Sequence, residues 1–300
     1  MTSKEKLARC WHAVEFTVER EQEDLASWLL IQAGAKGCEV KQAGDSGLTL
    51  HCVFADEELS VGKLAQIKES LDSYGLQASI ATLSVKTVVE EDWLQKWKQG
   101  YKQFAVGDRL LVCPSWLKSS LSADETAGRQ LLVIEPGMAF GTGLHQTTSF
   151  CLRALEQHLS GPEILDVGTG SGILAIAAAL LDCHSNITAL DVDPVSIQVA
   201  QENFELNCVA DRIKLLLGST ETVNSRVYNT VLSNLTCEDI VGLLSDYSAL
   251  TAPGAVVICA GILAEKLPLL QTALVNFPFS EIVCEIEGLW AGLVLKKAAH

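Results

Sequence analysis

Apolar and polar positions in the first 89 residues switch between two periods. From Trp11 to Val18 they alternate, setting Val14, Phe16 and Val18 on one face. Gln22 to Ala33 has helical spacing, and Leu48 to Phe54 alternates again, aligning Leu48, Leu50, Cys52 and Phe54. Leu64, Ile67 and Leu71 repeat at helical spacing, Ile80 to Val88 has the pattern of a strand, and Gly37 to Val40 supplies one more. The order βαββαβ predicts a small ferredoxin-like α+β domain over residues 1–89. No catalytic constellation falls within it, which leaves binding or packing as its role.

From Leu131 onward short apolar runs and helical stretches alternate at the intervals of a doubly wound, mainly parallel α/β sheet. The expected strands are Ile164 to Val167, Ile187 to Asp191, Ile213 to Leu217, Thr230 to Ser233 and Ala255 to Cys259. Residues 131–300 therefore form a second domain, and ligands of such a sheet bind at the carboxyl ends of its strands. Between the two, residues 90–130 are expected to be an interdomain connection with a helix on which Trp93 and Trp97 share a face, followed by the polar stretch KSSLSADETAG.

Composition narrows the class. With 300 residues, 48% of them hydrophobic and 20% charged, the chain suits a soluble globular protein. Its longest apolar run, Ile173 to Leu181, is too short to span a bilayer, and no signal-peptide pattern follows the N-terminus, so neither membrane insertion nor secretion is expected. The ten cysteines contain no Cys-x-x-Cys pair and no zinc-ligand spacing. They suit free thiols in a reducing cytoplasm, and no metal is expected. The net charge is −15, and residues 131–300 alone carry 18 acidic against 7 basic side chains. Such a surface repels naked nucleic acid and attracts a basic partner, although acidity also serves plain solubility.

The segment ILDVGTGSGILAIAAALL reads as a strand, a turn containing Gly168, Gly170 and Gly172, and an Ala-rich helix. Glycines there allow positive φ and close ligand approach. A dinucleotide fingerprint would have glycine at its sixth position, where this chain has Ile173. Between Arg153 and Arg212 there is no Lys or Arg, while nine acidic residues occur, among them Asp166, Asp191 and Asp193. That charge disfavours a phosphorylated cofactor and suits S-adenosylmethionine, which has a sulfonium, an ammonium group and ribose hydroxyls but no phosphate. Asp191, in ALDVDP, stands where a carboxylate accepts hydrogen bonds from ribose hydroxyls; Asp193 before Pro194 has the spacing of a helix cap.

Asn234 ends the strand YNTVLSNLT. No Pro-Pro-aromatic platform for stacking a planar base follows it, so its amide suits orientation of an aliphatic amine, the alternative being an Asx turn. Residues 135–148, EPGMAFGTGLHQTT, resemble a phosphate loop but lack its lysine, Gly143 being followed by Leu144. Here Phe140 is expected as an apolar contact to the cofactor and Thr148 as a hydrogen-bonding one, with His145 in a structural role.

Taken together, PGMAFGTGLHQTT, LDVGTGSGILAIAA, DVDP, the Asn of SNLT and GIL at 261–263 resemble the PrmA family, which methylates large-subunit ribosomal protein eleven. The similarity extends into DWLQKWKQGYKQFAVGDRLLVCPSW and covers most of residues 90–265. It implies a Rossmann-like class I methyltransferase domain, an N-terminal domain that grips a basic ribosomal protein, and methylation of lysine side chains and α-amino groups. By position it implies S-adenosylmethionine contacts at Thr148, Gly168, Asp191 and Asn234, to which the glycine loop adds Gly170, with Asn234 also orienting the amine. Two departures stand out: Ser233-Asn234-Leu235 where the family usually has Ala-Asn-Ile, and Leu289 before Trp290 where Glu is common. A lysine methyltransferase of another protein and a weakly catalytic ribosome-assembly module are the alternative functions, and a cytoplasmic monomer is the expected state.

Overall fold

The computed structural model describes residues 10–35, 37–43, 47–55, 59–89, 102–126, 128–135, 145–223 and 227–299. The chain divides into two units, Met1–Tyr101 and Lys102–His300. Trp93, Trp97 and the helix expected around them lie outside the described residues.

In the first unit, strands β1 (Cys10–Val18), β2 (Gly37–Ala43), β3 (Gly47–Ala55) and β4 (Ser84–Val89) form an antiparallel sheet in the order β2-β3-β1-β4. Helix α1 (Glu23–Gln32) precedes β2, and α2 (Val61–Ser73) and α3 (Gln77–Thr82) precede β4. This is the ferredoxin-like arrangement. Register follows from the alternation: Val14 faces Cys52, Phe16 faces Leu50 and Val18 faces Leu48, and these side chains close a core with Leu30, Ile67 and Leu71.

One strand boundary differs from expectation, because Ile80 to Thr82 are helical. Gly75, at φ +78°, ends α2 while the Leu76 amide bonds back to Leu71, and the chain restarts as α3. The Thr82 hydroxyl then donates to the Ser79 carbonyl and accepts the Thr17 amide of β1. That tie holds the helical turn in place, and the strand begins only at Ser84.

The second unit opens with a three-stranded sheet of β5 (Phe104–Val106), β6 (Leu110–Pro114) and β7 (Gln130–Ile134), in which β6 and β7 run parallel. Residues 104–126, assigned from sequence to the connection, thus belong to this unit. There follow α4 (Gln146–His158), β8 (Glu163–Val167), α5 (Ile173–Leu181), β9 (Asn186–Asp191), α6 (Pro194–Leu206), β10 (Ile213–Leu217), β11 (Tyr228–Asn234), α7 (Cys237–Leu250), β12 (Thr251–Leu263), α8 (Leu267–Leu274), β13 (Phe279–Glu287) and β14 (Trp290–Lys297).

The large sheet has seven strands in the order β10-β9-β8-β11-β12-β14-β13. All are parallel except β14, which is antiparallel to both neighbours. Helices α4, α5 and α6 bury apolar faces on one side, with Leu155, Ile176 and Phe204 in that core. On the other side α7 and α8 contribute Ile240, Leu244 and Leu270. The chain leaves β8 toward β9 and β10, then returns to build β11 and β12 on the opposite flank. The switch point therefore lies between β8 and β11, and their carboxyl ends frame the crevice where this architecture binds ligands. No helix among the described residues is long and apolar enough to cross a membrane.

Candidate functional site

The turn after β8 is shaped by backbone that only glycine adopts without strain. Gly168, Gly170 and Gly172 have φ of 71°, 55° and 82°, in the left-handed region. Space is as tight as the dihedrals: a β-carbon on Gly168 would lie 2.5 Å from Leu235 Cδ2, and one on Gly172 would lie 2.5 Å from Phe204 Cε1. The Gly168 and Thr169 amides both donate to the Leu190 carbonyl of β9, at 2.9 and 3.0 Å. Two strand ends are thereby pinned to one turn.

Asp191, at the end of β9, reaches into that turn. Its Oδ2 accepts the Gly170 amide at 2.9 Å and its Oδ1 accepts the Asp193 amide at 3.0 Å. A carboxylate has about four acceptor positions, so roughly two remain for hydroxyl donors. Asp193 does the capping: its Oδ1 accepts the Val195 amide at 2.9 Å, with Pro194 opening α6.

Across the crevice, Asn234 ends β11. Its Nδ2 donates to the Thr148 hydroxyl at 3.2 Å, while its buried Oδ1 has no hydrogen-bond partner among the described residues. Thr148 is fully buried on the first turn of α4. That helix is capped by His145, whose Nδ1 accepts the Thr147 amide at 3.4 Å and lies 2.8 Å from the Thr147 hydroxyl. The His145 ring also packs edge-on against Trp290, with centroids 4.8 Å apart. Next to Asn234, Gly261 of β12 sits at φ 84°, where a β-carbon would come within 2.3 Å of the Leu235 carbonyl oxygen and 3.1 Å of Asn234 Oδ1. The glycine leaves room for the amide.

Sheet register brings these groups together. Val167, just before the glycine turn, lies between Leu190 of β9 and Ser233 of β11. Gly168, Asp191 and Asn234 thus follow from neighbouring positions on three adjacent strands. Phe140 lies outside the described residues.

A further acid shares the crevice and was counted in the sequence without a role. Asp166 is 1% exposed. Its Oδ2 accepts the Thr169 hydroxyl at 2.6 Å, and its Oδ1 has no partner among the described residues. Burial pushes its pKa up to about 7; the Thr169 hydroxyl and the Ala175 amide work against that rise and the charge of Asp191 adds to it. The sequence signal was its place, two residues before the first glycine at the end of an apolar strand, where a charge has no surface to reach. On the opposite face Ser233, one of the residues that depart from the family pattern, hydrogen-bonds the buried Tyr247 hydroxyl at 2.7 Å.

The donors and acceptors fit S-adenosylmethionine. The glycine turn provides a cradle that β-carbons would fill, and two buried acceptor atoms, on Asp166 and Asn234, await donors. No basic side chain that a phosphate would need occurs between Arg153 and Arg212.

Comparison with known proteins agrees. The model of the family described as "Ribosomal protein L11 methyltransferase (PrmA)" matches residues 10–298. Proteins named ribosomal protein L11 methyltransferase from Streptococcus pyogenes serotype M5 (strain Manfredo) and Streptococcus mutans serotype c are each 32% identical over 309 aligned positions, covering 96% of this chain and 96% of theirs. The crystal structure of a ribosomal protein L11 methylase from Lactobacillus delbrueckii subsp. bulgaricus superposes with a TM-score of 0.60 at 28% identity, covering 66% of this chain and 100% of that one.

Proposed function

Because the chain belongs to the ribosomal protein L11 methyltransferase (PrmA) family, its reaction is methyl transfer from S-adenosylmethionine, and we propose that the acceptors are amino groups of ribosomal protein L11, both lysine side chains and the α-amine. The observation that carries this reading is Asn234. Its amide is held from one side by Thr148, and its buried oxygen is left without a partner among the described residues. An amide oxygen so fixed accepts a hydrogen from an incoming amine and leaves the nitrogen lone pair to face the methyl group. The acidic surface of residues 131–300 supports a basic protein as substrate.

When bound, S-adenosylmethionine supplies an electrophilic methyl group on a sulfonium. Gly168, Gly170 and Asp191 would hold its nucleoside end, with Asp191 using its two remaining acceptor positions for the ribose hydroxyls. Thr148 and Asn234 would hold the other end, where the buried carboxylate of Asp166 suits a cationic group. Methyl transfer is an in-line displacement, so the chief task of these residues is alignment. The nucleophile must be a neutral amine, and a lysine with an ordinary pKa near ~10.4 gives up its proton to solvent before attack. His145 is occupied as a helix cap and is not needed as a base.

The test is incubation with labelled S-adenosylmethionine and the separated proteins of the large ribosomal subunit. Label should appear on L11 and depend on Asn234. Label on a different protein, with none on L11, would replace this substrate by another.

A further inference from the structure

Two buried amides on α6 play no part in the mechanism above. Asn203 is 0% exposed; its Oδ1 accepts the Glu135 amide at 2.8 Å and its Nδ2 donates to the Ser171 carbonyl at 2.8 Å. One turn later Asn207 does a similar task on a single residue: its Oδ1 accepts the Val133 amide at 2.8 Å and its Nδ2 donates to the Val133 carbonyl at 2.6 Å. Both therefore satisfy the backbone at the end of β7, as a paired strand would. Only Asn203 also reaches the glycine turn.

Ser171 stands between Gly170, whose amide is held by Asp191, and Gly172, which opens α5. The rest of the buried α6 face presses on the same turn: Phe204 and Ala200 are the atoms that a Gly172 β-carbon would meet, at 2.5 and 3.3 Å. We propose that Asn203 is a positioning residue for the methyl donor. By bridging the Ser171 carbonyl and the Glu135 amide, it locks the glycine turn to the end of β7 in the shape that receives the cofactor. The proposal rests on the reading of that turn as the S-adenosylmethionine site. Without the amide, two buried backbone groups lose their partner, and the turn must be ordered when ligand binds rather than beforehand.

The two asparagines supply their own control. Asn203→Ala and Asn207→Ala each strip hydrogen bonds from β7, but only the first releases the glycine turn. Calorimetric titration of the full chain with S-adenosylhomocysteine, beside a melting curve for each variant, should show Asn203→Ala raising Kd about tenfold, the scale of one buried hydrogen bond. Asn207→Ala should stay within about twofold of wild type at a comparable loss of Tm. Asn203→Asp, which keeps the volume and the acceptor for Glu135 but removes the donor to Ser171, should reproduce the loss if the alanine variant folds poorly. In turnover assays KM for S-adenosylmethionine should rise while KM for the protein substrate does not. Equal losses of affinity in the Asn203 and Asn207 variants, or no loss in either Asn203 variant, overturn the positioning role. A wild-type protein that fails to bind S-adenosylhomocysteine overturns the proposed site itself, and the inference with it.

Discussion

Replacing Asp166 with Asn tests the electrostatics of the crevice most sharply. The carboxyl is 1% exposed and its pKa is pushed from 3.8 to about 7. An acid whose pKa is higher in the folded than in the unfolded chain binds more protons when folded, so it lowers stability as pH rises from about 4 to about 7. The interval corresponds to roughly 4 kcal/mol, fully expressed just above neutrality and absent in acid. Asn keeps an oxygen for the Thr169 hydroxyl and does not titrate. In urea unfolding of the ligand-free protein at a series of pH values, the stability of Asp166→Asn relative to wild type should therefore climb by up to about 4 kcal/mol between pH 4 and pH 8. Taking the difference between the two proteins cancels the titration of every other group. A difference that is flat with pH, or that shifts toward wild type as pH rises, would refute the assignment of a buried, unsatisfied charge. S-adenosylhomocysteine, which carries an ammonium group, should raise the wild-type Tm at pH 8 more than that of the variant.

Other outcomes follow from the same geometry. Gly261→Ala places a β-carbon 2.3 Å from a backbone oxygen at φ 84°, so it should cost about 2–4 kcal/mol; an unchanged melting temperature would contradict the tightness of that contact. Asn234→Ala should lower kcat about 100-fold with little change in Tm, and equal turnover in the two proteins would remove the amide from the mechanism. Asp191→Ala should raise KM for S-adenosylmethionine at least about tenfold, and an unaltered KM would show that ribose is held elsewhere. With Asp191→Ala the protein-substrate KM, measured in the same assay, should hold steady.

Much of this architecture was legible because local pattern and tertiary burial agree. The alternation of Val14, Phe16 and Val18 against Leu48, Leu50 and Cys52 announces both the strands and their register. The glycine turn is legible for a different reason, since Gly168, Gly170 and Gly172 stand where the chain needs positive φ. Ile80 misled because a short apolar run carries no clear period, and the tie of Thr82 to Thr17 that settles it spans 65 residues. The hairpin of β13 and β14 escaped notice because β13 is an edge strand, exposed along most of its length, so its apolar positions do not alternate with a core. The small sheet of β5, β6 and β7 looked like a connection for want of length: β5 has only three residues. Asp166 and Asn203 illustrate a deeper limit. A sequence shows a carboxyl or an amide, whereas the depth of burial and the distant backbone it serves arise only when β8, the glycine turn and α6 have packed.

The most direct test of the central claim is the mass of ribosomal protein L11 after incubation with S-adenosylmethionine and this enzyme, followed by fragmentation to locate the added groups. The account predicts increments of one methyl group or multiples of it on lysine side chains and the α-amine, strongly reduced with Asn234→Ala. An L11 of unchanged mass, or methyl groups on oxygen or on side chains other than amines, would contradict it.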